Sequence, residues 1–282
     1  MVYRFLIFVA LFLPVAAHAD GVAMLNSGLQ KTYMACVGID DLLGDMKKIA
    51  GINTGVTGVG TVAGAGAVVV GTKNHNELFG DLRKIEDDEN FSASGASLEI
   101  EQQSNFKPNL KSKKSKNLGN WRTGLLAANT AANVAGAILA TKNTSSDDEL
   151  NTRIGNCISA VNDLQGIIIQ VRADGVDVTE ANEIYNACSG YKYVDLSKIK
   201  KRARGAQVSS IAGGVVGGAG VVSSQIANNS VSNNAEKIDT AANVLAGGAT
   251  ALSGAATVFN ATQISAIKKV ADVAQNCEKV LK

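Results

Sequence analysis

The residues of this chain with the plainest chemistry are its four cysteines, Cys36, Cys157, Cys188 and Cys277. An even number of cysteines in an exported protein is typical of disulfides, and four cysteines allow three pairings. The alternative is four reduced thiols in an apolar core. A zinc site is disfavoured because the chain has no C-x-x-C pair and only one histidine, His75, beyond its leader-like N-terminus. We therefore expect two disulfides and no metal.

Three other motifs resemble catalytic or binding sites but lack the residues that the chemistry requires. Gly58–Ala63 matches the glycine pattern of a dinucleotide-binding loop, yet neither a convincing strand before it nor a suitable acidic residue after it is present. His75 has no partner that the sequence indicates for general-base catalysis. Asp174, Asp177 and Glu180 do not have the spacing of a calcium loop. We expect no catalytic residue, no cofactor and no enzyme activity.

A run of basic residues comprises Lys198, Lys200, Lys201, Arg202 and Arg204. Near an anionic bilayer surface, each basic residue contributes about 1 kcal/mol of attraction. These residues are therefore candidate contacts to an anionic membrane surface, and the alternative is a solvated helix face. The net charge of +2 does not indicate a nucleic-acid partner, and we expect none.

Residues 1–19 have the three parts of a signal peptide. Arg4 supplies a basic start, Phe5–Val15 an apolar stretch, and Ala17–Ala19 a small-residue cleavage site. We expect cleavage after Ala19 and export to the periplasm or another part of the cell envelope. The alternative is an uncleaved membrane anchor.

Four stretches that contain no charged residue dominate the rest of the chain: Ile49–Thr72, Thr123–Thr141, Gly205–Ala235 and Thr240–Ile267. Glycine inside a helix costs roughly 1 kcal/mol relative to alanine, so repeated glycine needs a compensating gain. Small residues four apart share one helix face and let a second helix approach closely. The candidate packing residues are Gly60, Gly64, Ala132, Gly136, Gly213, Gly214, Gly217, Gly218, Gly247 and Ala251.

The G-x-x-x-G spacing of these stretches resembles the glycine-zipper class of bacterial envelope proteins. The resemblance covers the small-residue stretches and not the cysteines. It implies helices that pack as transmembrane hairpins or that associate with other copies at a membrane.

The order of features around the cysteines repeats along the chain. Cys36 and Cys188 each precede a lysine-containing segment, two small-residue stretches and an Asn-Cys pair, which ends at Cys157 and at Cys277. We predict an internal duplication: leader 1–19, first repeat 20–171 with a mobile insert at 86–117, and second repeat 172–282. The duplication favours the pairs Cys36–Cys157 and Cys188–Cys277, although the sequence does not exclude other pairings.

The predicted fold is all-α, with two tandem helical hairpins in an elongated bundle held by glycine-zipper packing. The strongly apolar centres, such as Ile211–Val222, are shorter than the roughly 20 residues of a membrane span. We therefore expect a non-catalytic envelope protein that associates with other copies or with an envelope partner. The alternative is a membrane-inserting protein, either a pore former or an exported effector.

Overall fold

The computed structural model describes the backbone of residues 2–86, 113–229 and 235–282, and the side chains of residues 19–77, 114–229 and 235–282. Within these ranges nearly every residue is helical and no strand occurs, which confirms the predicted all-α fold. The helices are α1 (Val2–Cys36), α2 (Ile39–Glu86), α3 (Lys113–Ala173), α4 (Thr179–Cys188), α5 (Ser197–Asn229) and α6 (Ala235–Leu281), with a 3-10 helix at Ser189–Tyr193.

Buried positions along the four long helices are spaced alternately four and three residues apart. The alternation is unbroken over Ile39–Asn74 in α2, Ser115–Val171 in α3, Ile199–Ala227 in α5 and Ala235–Cys277 in α6. A mean spacing of 3.5 residues is the heptad period of helices that pack as a coiled coil. We call these buried positions the seam of each helix.

The chain forms two compact units. Unit 1 consists of Met1–Ile49, Lys142–Lys201 and Thr262–Lys282, and unit 2 of Ala50–Thr141 and Arg202–Ala261. Each long helix contributes one part to each unit. Both units therefore draw on both halves of the predicted duplication, and the tandem duplication itself stays a prediction.

Unit 1 has a continuous apolar core. Its seam residues include Leu43, Ile154, Leu164 and Ile267, all buried, and the four cysteines belong to the same cluster. Disulfides join Cys36 to Cys157 and Cys188 to Cys277, which is the pairing that the duplication favours. The first disulfide ties α1 to α3, and the second ties α4 to α6.

A side chain from the end of the chain caps the start of α2 in unit 1. Gly38 has a φ of +79°, a left-handed conformation that favours glycine, and it makes the tight turn between α1 and α2. The Glu278 carboxylate accepts hydrogen bonds from the backbone N–H groups of Gly38 at 3.0 Å and Asp40 at 3.2 Å. A negative charge is favourable at a helix N-terminus.

Unit 2 is a bundle of four helical segments in which neighbours run antiparallel. Between α2 and α6, contacts run in opposite chain directions, from the Thr57–Thr257 hydrogen bond at 3.0 Å to the His75–Asp239 contact at 3.0 Å. Between α3 and α5 they run from Thr141–Gln207 to Thr123–Ser224. The four segments, which come from α2, α3, α5 and α6, thus form a bundle, and their grouping into two tandem hairpins stays a prediction.

Residues 87–112 of the insert predicted at 86–117 lie outside the described residues, while residue 86 ends α2 and residues 113–117 belong to α3. Residues 2–19 lie within α1, and cleavage of the leader stays a prediction.

Candidate functional site

The outer surface of unit 2 is apolar. No charged residue occurs in Ile49–Thr72, Thr123–Thr141, the described part of α5 from Gly205, or the part of α6 from Thr240 to Ala261. The large side chains on this surface are mostly β-branched, and each of the following is at least half exposed: Val59, Val62, Val69, Val134, Ile138, Val208, Ile211, Val215, Val222, Val244 and Val258. We call this surface the apolar belt.

The interior of unit 2 is polar or built of small residues. Its buried hydrophobic cluster contains Ala67, Leu126 and Ala246. The other buried seam positions carry glycine, alanine or polar side chains, and the polar ones are Asn53, Thr57, Asn74, Ser115, Arg122, Asn129, Asn133, Ser210, Ser224, Asp239, Ser253 and Asn260. A water-soluble helical bundle has the opposite arrangement, with apolar seams and a polar surface.

An amide layer at the middle of this interior connects three helices. Asn129 of α3 donates its Nδ2 proton to the backbone carbonyl of Gly60 in α2, at 2.6 Å. Asn133 Nδ2 lies 2.7 Å from Ser253 Oγ of α6, and Ser253 Oγ in turn donates to Asn133 Oδ1 at 3.0 Å. Buried amides of this kind cost free energy unless they are paired, and here they pair between helices.

Five of the predicted packing glycines have close neighbours inside unit 2. A β-carbon on Gly60 would lie 3.0 Å from the Ala132 Cβ, and one on Gly136 would lie 2.8 Å from a methyl group of Thr57. On Gly213 it would lie 2.8 Å from Asn133 Oδ1, on Gly217 it would lie 2.6 Å from Thr130 Oγ1, and on Gly64 it would collide with Thr250. At each of these positions an added β-carbon would lie 3.0 Å or less from a neighbouring side-chain atom, so that the neighbour would have to shift.

The other predicted packing residues have more space. The nearest atom to a β-carbon on Gly214 would be 3.5 Å away, and on Gly218 it would be 4.0 Å away. Gly247 has no atom within 4 Å of such a carbon, and Ala251 is exposed. Of the two strips on α5, the Gly213 and Gly217 strip therefore faces inward, and α6 presents Gly247 and Ala251 outward.

An ion pair that the sequence did not reveal is buried at one end of unit 2. Arg122 Nη1 lies 2.6 Å from Asp239 Oδ1, and both side chains are almost completely buried. Arg122 also donates from Nε to Ser224 Oγ at 2.9 Å and from Nη1 to Asn243 Oδ1 at 3.3 Å. All three partners lie on α5 or α6, so the arginine of α3 joins three helices through charge and hydrogen bonds.

His75 completes this cluster. Its Nδ1 lies 3.0 Å from Asp239 Oδ2, and its Nε2 lies 4.0 Å from Glu236 Oε1. A surface cavity nearby is lined by other residues of α2: Val68, Val69, Thr72, Lys73, Asn76 and Glu77. His75 therefore has the carboxylate partners that the sequence did not indicate, and it does not line that cavity.

The predicted basic run is divided between the two units. In unit 1, Lys200 Nζ lies 2.7 Å from Asp148 Oδ1 and Lys198 Nζ lies 3.3 Å from Asp195 Oδ2, while Lys201 is exposed. In unit 2, Arg204 is exposed and Arg202 is half-buried. Lys198 and Lys200 thus already have carboxylate partners within the protein.

The four long helical stretches are apolar enough, over windows of 18 residues, to cross a membrane: Ala19–Glu77, Lys114–Ala173, Ser197–Asn229 and Ala235–Leu281. This criterion concerns length and composition only. The estimate from the strongly apolar centres was too short because it stopped at serine, threonine and asparagine. In the structure many of those residues lie at the seam.

Comparison of the chain with protein-family models, with curated proteins and with solved structures finds no match.

Proposed function

We propose that the protein acts within a membrane, where unit 2 spans the bilayer as a four-helix bundle and its polar seam forms a path for water and small ions. One observation carries the proposal, the inverted polarity of unit 2. Its apolar belt would be costly to expose to water, whereas in a bilayer the same belt would contact lipid chains. Its polar interior is the arrangement expected for residues kept away from lipid.

The dimensions of the uncharged stretches support this function. At 1.5 Å per residue, Ile49–Thr72 is about 36 Å long and Thr123–Thr141 about 28 Å, close to the roughly 30 Å of a bilayer's hydrocarbon core. Charged residues adjoin the stretches, as with Lys48 and Lys73 around the first. Trp121 lies beside the start of the second stretch and is 69% exposed, and tryptophan is enriched where a membrane meets water.

Unpaired polar atoms in the seam support a path for water. Asn53 Nδ2 donates to Asn260 Oδ1 at 3.1 Å, while Asn53 Oδ1, Asn260 Nδ2 and Ser210 Oγ have no hydrogen-bond partner in the described structure. A buried polar atom without a partner costs about 1–3 kcal/mol, and water at this layer would remove that cost. With helices this close at Gly213 and Gly217, this bundle would be the closed state of the proposed path.

Trp121 is the only tryptophan, so its fluorescence tests insertion directly. In vesicles made with brominated lipids, we expect quenching of Trp121 and retention of the protein in the pellet after alkaline carbonate extraction. The matched control carries Trp121→Phe with Tyr193→Trp, because Tyr193 of unit 1 is 87% exposed. That control should insert but remain unquenched. Release by carbonate together with an unquenched Trp121 would contradict the proposal.

Potassium flux from loaded vesicles tests the path separately. We expect flux with the natural protein and its loss in the double variant Asn53→Leu and Asn260→Leu, which replaces both polar partners of one layer. Carbonate retention of that variant should be unchanged. Insertion without any flux, or equal flux from the natural protein and the double variant, would contradict the proposed path but not the proposed insertion.

A second candidate function is assembly in the cell envelope without insertion, through contact with other copies or with a protein partner. The outward position of Gly247 and Ala251 favours it, because small residues on an exposed face allow close approach of another helix. Native mass spectrometry of the carbonate-released protein tests it. A monomer there would count against assembly of copies.

A further inference from the structure

The two disulfides of unit 1 are neighbours. The Sγ atoms of Cys36, Cys188 and Cys277 all lie within 4.8 Å of one another, and these atoms come from both disulfides. All three side chains are almost completely buried in the apolar core. The group does not include Cys157, the bonding partner of Cys36.

We propose that the four cysteines form a single exchange unit in which Cys36 transfers its bond from Cys157 to the second disulfide. Exchange proceeds when a thiolate attacks a disulfide sulfur, and it requires the two to approach closely. Cys36 Sγ lies within 4.8 Å of both sulfurs of Cys188–Cys277, so a small movement would bring it into contact with either one. The inference rests on unit 1 alone and does not depend on the function proposed for unit 2.

The reaction begins when a small dithiol reductant reduces Cys36–Cys157, supplying two electrons and becoming a disulfide itself. The Cys36 thiolate then attacks the sulfur of Cys188 or Cys277. A new bond forms to the sulfur that is attacked, the Cys188–Cys277 bond breaks, and the other sulfur leaves as a thiolate. This second step is neutral in electrons, because one disulfide is exchanged for another.

Exchange would change which helices are covalently joined. The present bonds join α1 to α3 and α4 to α6, whereas the exchanged bond joins α1 to α4 or to α6. Cys157 and one cysteine of the second pair are then free thiols. Once a reductant has opened Cys36–Cys157, unit 1 would thus have two isomeric one-disulfide forms that interconvert by exchange without further electrons.

Two single variants test the asymmetry between Cys36 and Cys157. Cys157→Ser leaves Cys36 as a free thiol, and Cys36→Ser leaves Cys157 as a free thiol. Both variants lose the same disulfide and keep Cys188–Cys277, so they are matched in stability. Both are held at mildly alkaline pH without reductant, quenched with acid, and mapped as non-reduced peptides.

We expect links from Cys36 to Cys188 or Cys277 in Cys157→Ser, forming at least about tenfold faster than any Cys157 link in Cys36→Ser. Equal rates in the two variants would overturn the proposal, as would the absence of exchange in both. If either variant does not fold, the same peptide mapping is carried out on the natural protein after treatment with less than one equivalent of dithiol. Links from Cys36 to the second pair support the proposal there, and a simple loss of Cys36–Cys157 without new links contradicts it.

Discussion

Unit 1 and unit 2 share the same helices and the same burial period, but they fill their seams in opposite ways. Along α3, the seam passes from Asn129 and Asn133 in unit 2 to Ile154 and Leu164 in unit 1 without a change in its spacing. The period determines which face of a helix is turned inward. The residue types on the two faces determine which surroundings suit the unit, so period alone does not distinguish a soluble bundle from one that suits lipid.

The largest effect is expected from charges placed on the apolar belt. Val62→Lys with Val215→Lys alters two residues that are 74% and 69% exposed. Each lysine near the bilayer centre costs about 2.5–3.5 kcal/mol, so the double variant should fail to be retained after carbonate extraction. Ile169→Lys is the control in unit 1, where a residue that is 67% exposed should accept the charge without loss of retention. Equal retention of the natural protein, the double variant and Ile169→Lys would contradict the claim that the surface of unit 2, and not that of unit 1, contacts lipid.

The next largest effect concerns the buried ion pair of unit 2. Arg122→Leu alone leaves Asp239 buried without its arginine and should destabilise the bundle by about 3–5 kcal/mol. Adding Asp239→Leu should recover much of that loss, because a neutral apolar pair leaves no buried charge. Denaturant unfolding of the single and double variants in detergent measures both effects. A double variant as unstable as the single one would show that Asp239 is not the critical partner.

Glycine substitutions on α5 should have a smaller effect that differs between its two strips. Gly213→Ala with Gly217→Ala places methyl groups against Asn133 and Thr130, and overpacking of this kind typically costs about 1–3 kcal/mol. Gly214→Ala with Gly218→Ala has more space and should be neutral or stabilise the helix by up to about 1 kcal/mol per residue. Thermal unfolding in detergent compares them. If the Gly214 and Gly218 variant were destabilised while the Gly213 and Gly217 variant was unchanged, the assignment of the two strips would be reversed.

The smallest effect belongs to the start of α4 in unit 1. The Thr179 hydroxyl, and then its backbone N–H, lower the pKa of Asp177 from its ordinary value of 3.8. A lowered pKa means that this contribution is present above the ordinary value and is lost as the pH falls through the lowered one. NMR titration of Asp177 should give a midpoint below 3.8, and Thr179→Val should raise it. A midpoint that Thr179→Val does not change would contradict the hydroxyl's role.

Helix and cysteine patterns were sufficient to predict the fold class. Apolar residues at helical spacing predicted the helices of unit 1, where burial and hydrophobicity coincide at residues such as Leu43 and Ile154. The repeated order of features also favoured the cysteine pairing that the structure contains.

The site was harder to predict because its residues contradict the usual relation between polarity and exposure. Asn129, Asn133 and Thr130 are polar, yet they contact neighbouring helices from the inner side. Arg122 and Asp239 are far apart in sequence, and nothing local marks either as buried. Arg122 and Asp239 both lie at the 3.5-residue spacing of the seam, where most of the neighbouring positions carry glycine or alanine. That spacing was the signal from which their burial could have been predicted.

The unbroken period of α3 also limits how the length of this protein can vary. Inserting one residue would rotate everything beyond it by about 100°, turning residues such as Asn133 away from the seam. Only whole heptads preserve the pattern, and all four helices of the bundle would need the same addition. If unit 2 spans a bilayer as proposed, variants of this chain suited to thicker or thinner bilayers should therefore differ in steps of seven residues per helix, or about 10 Å of length.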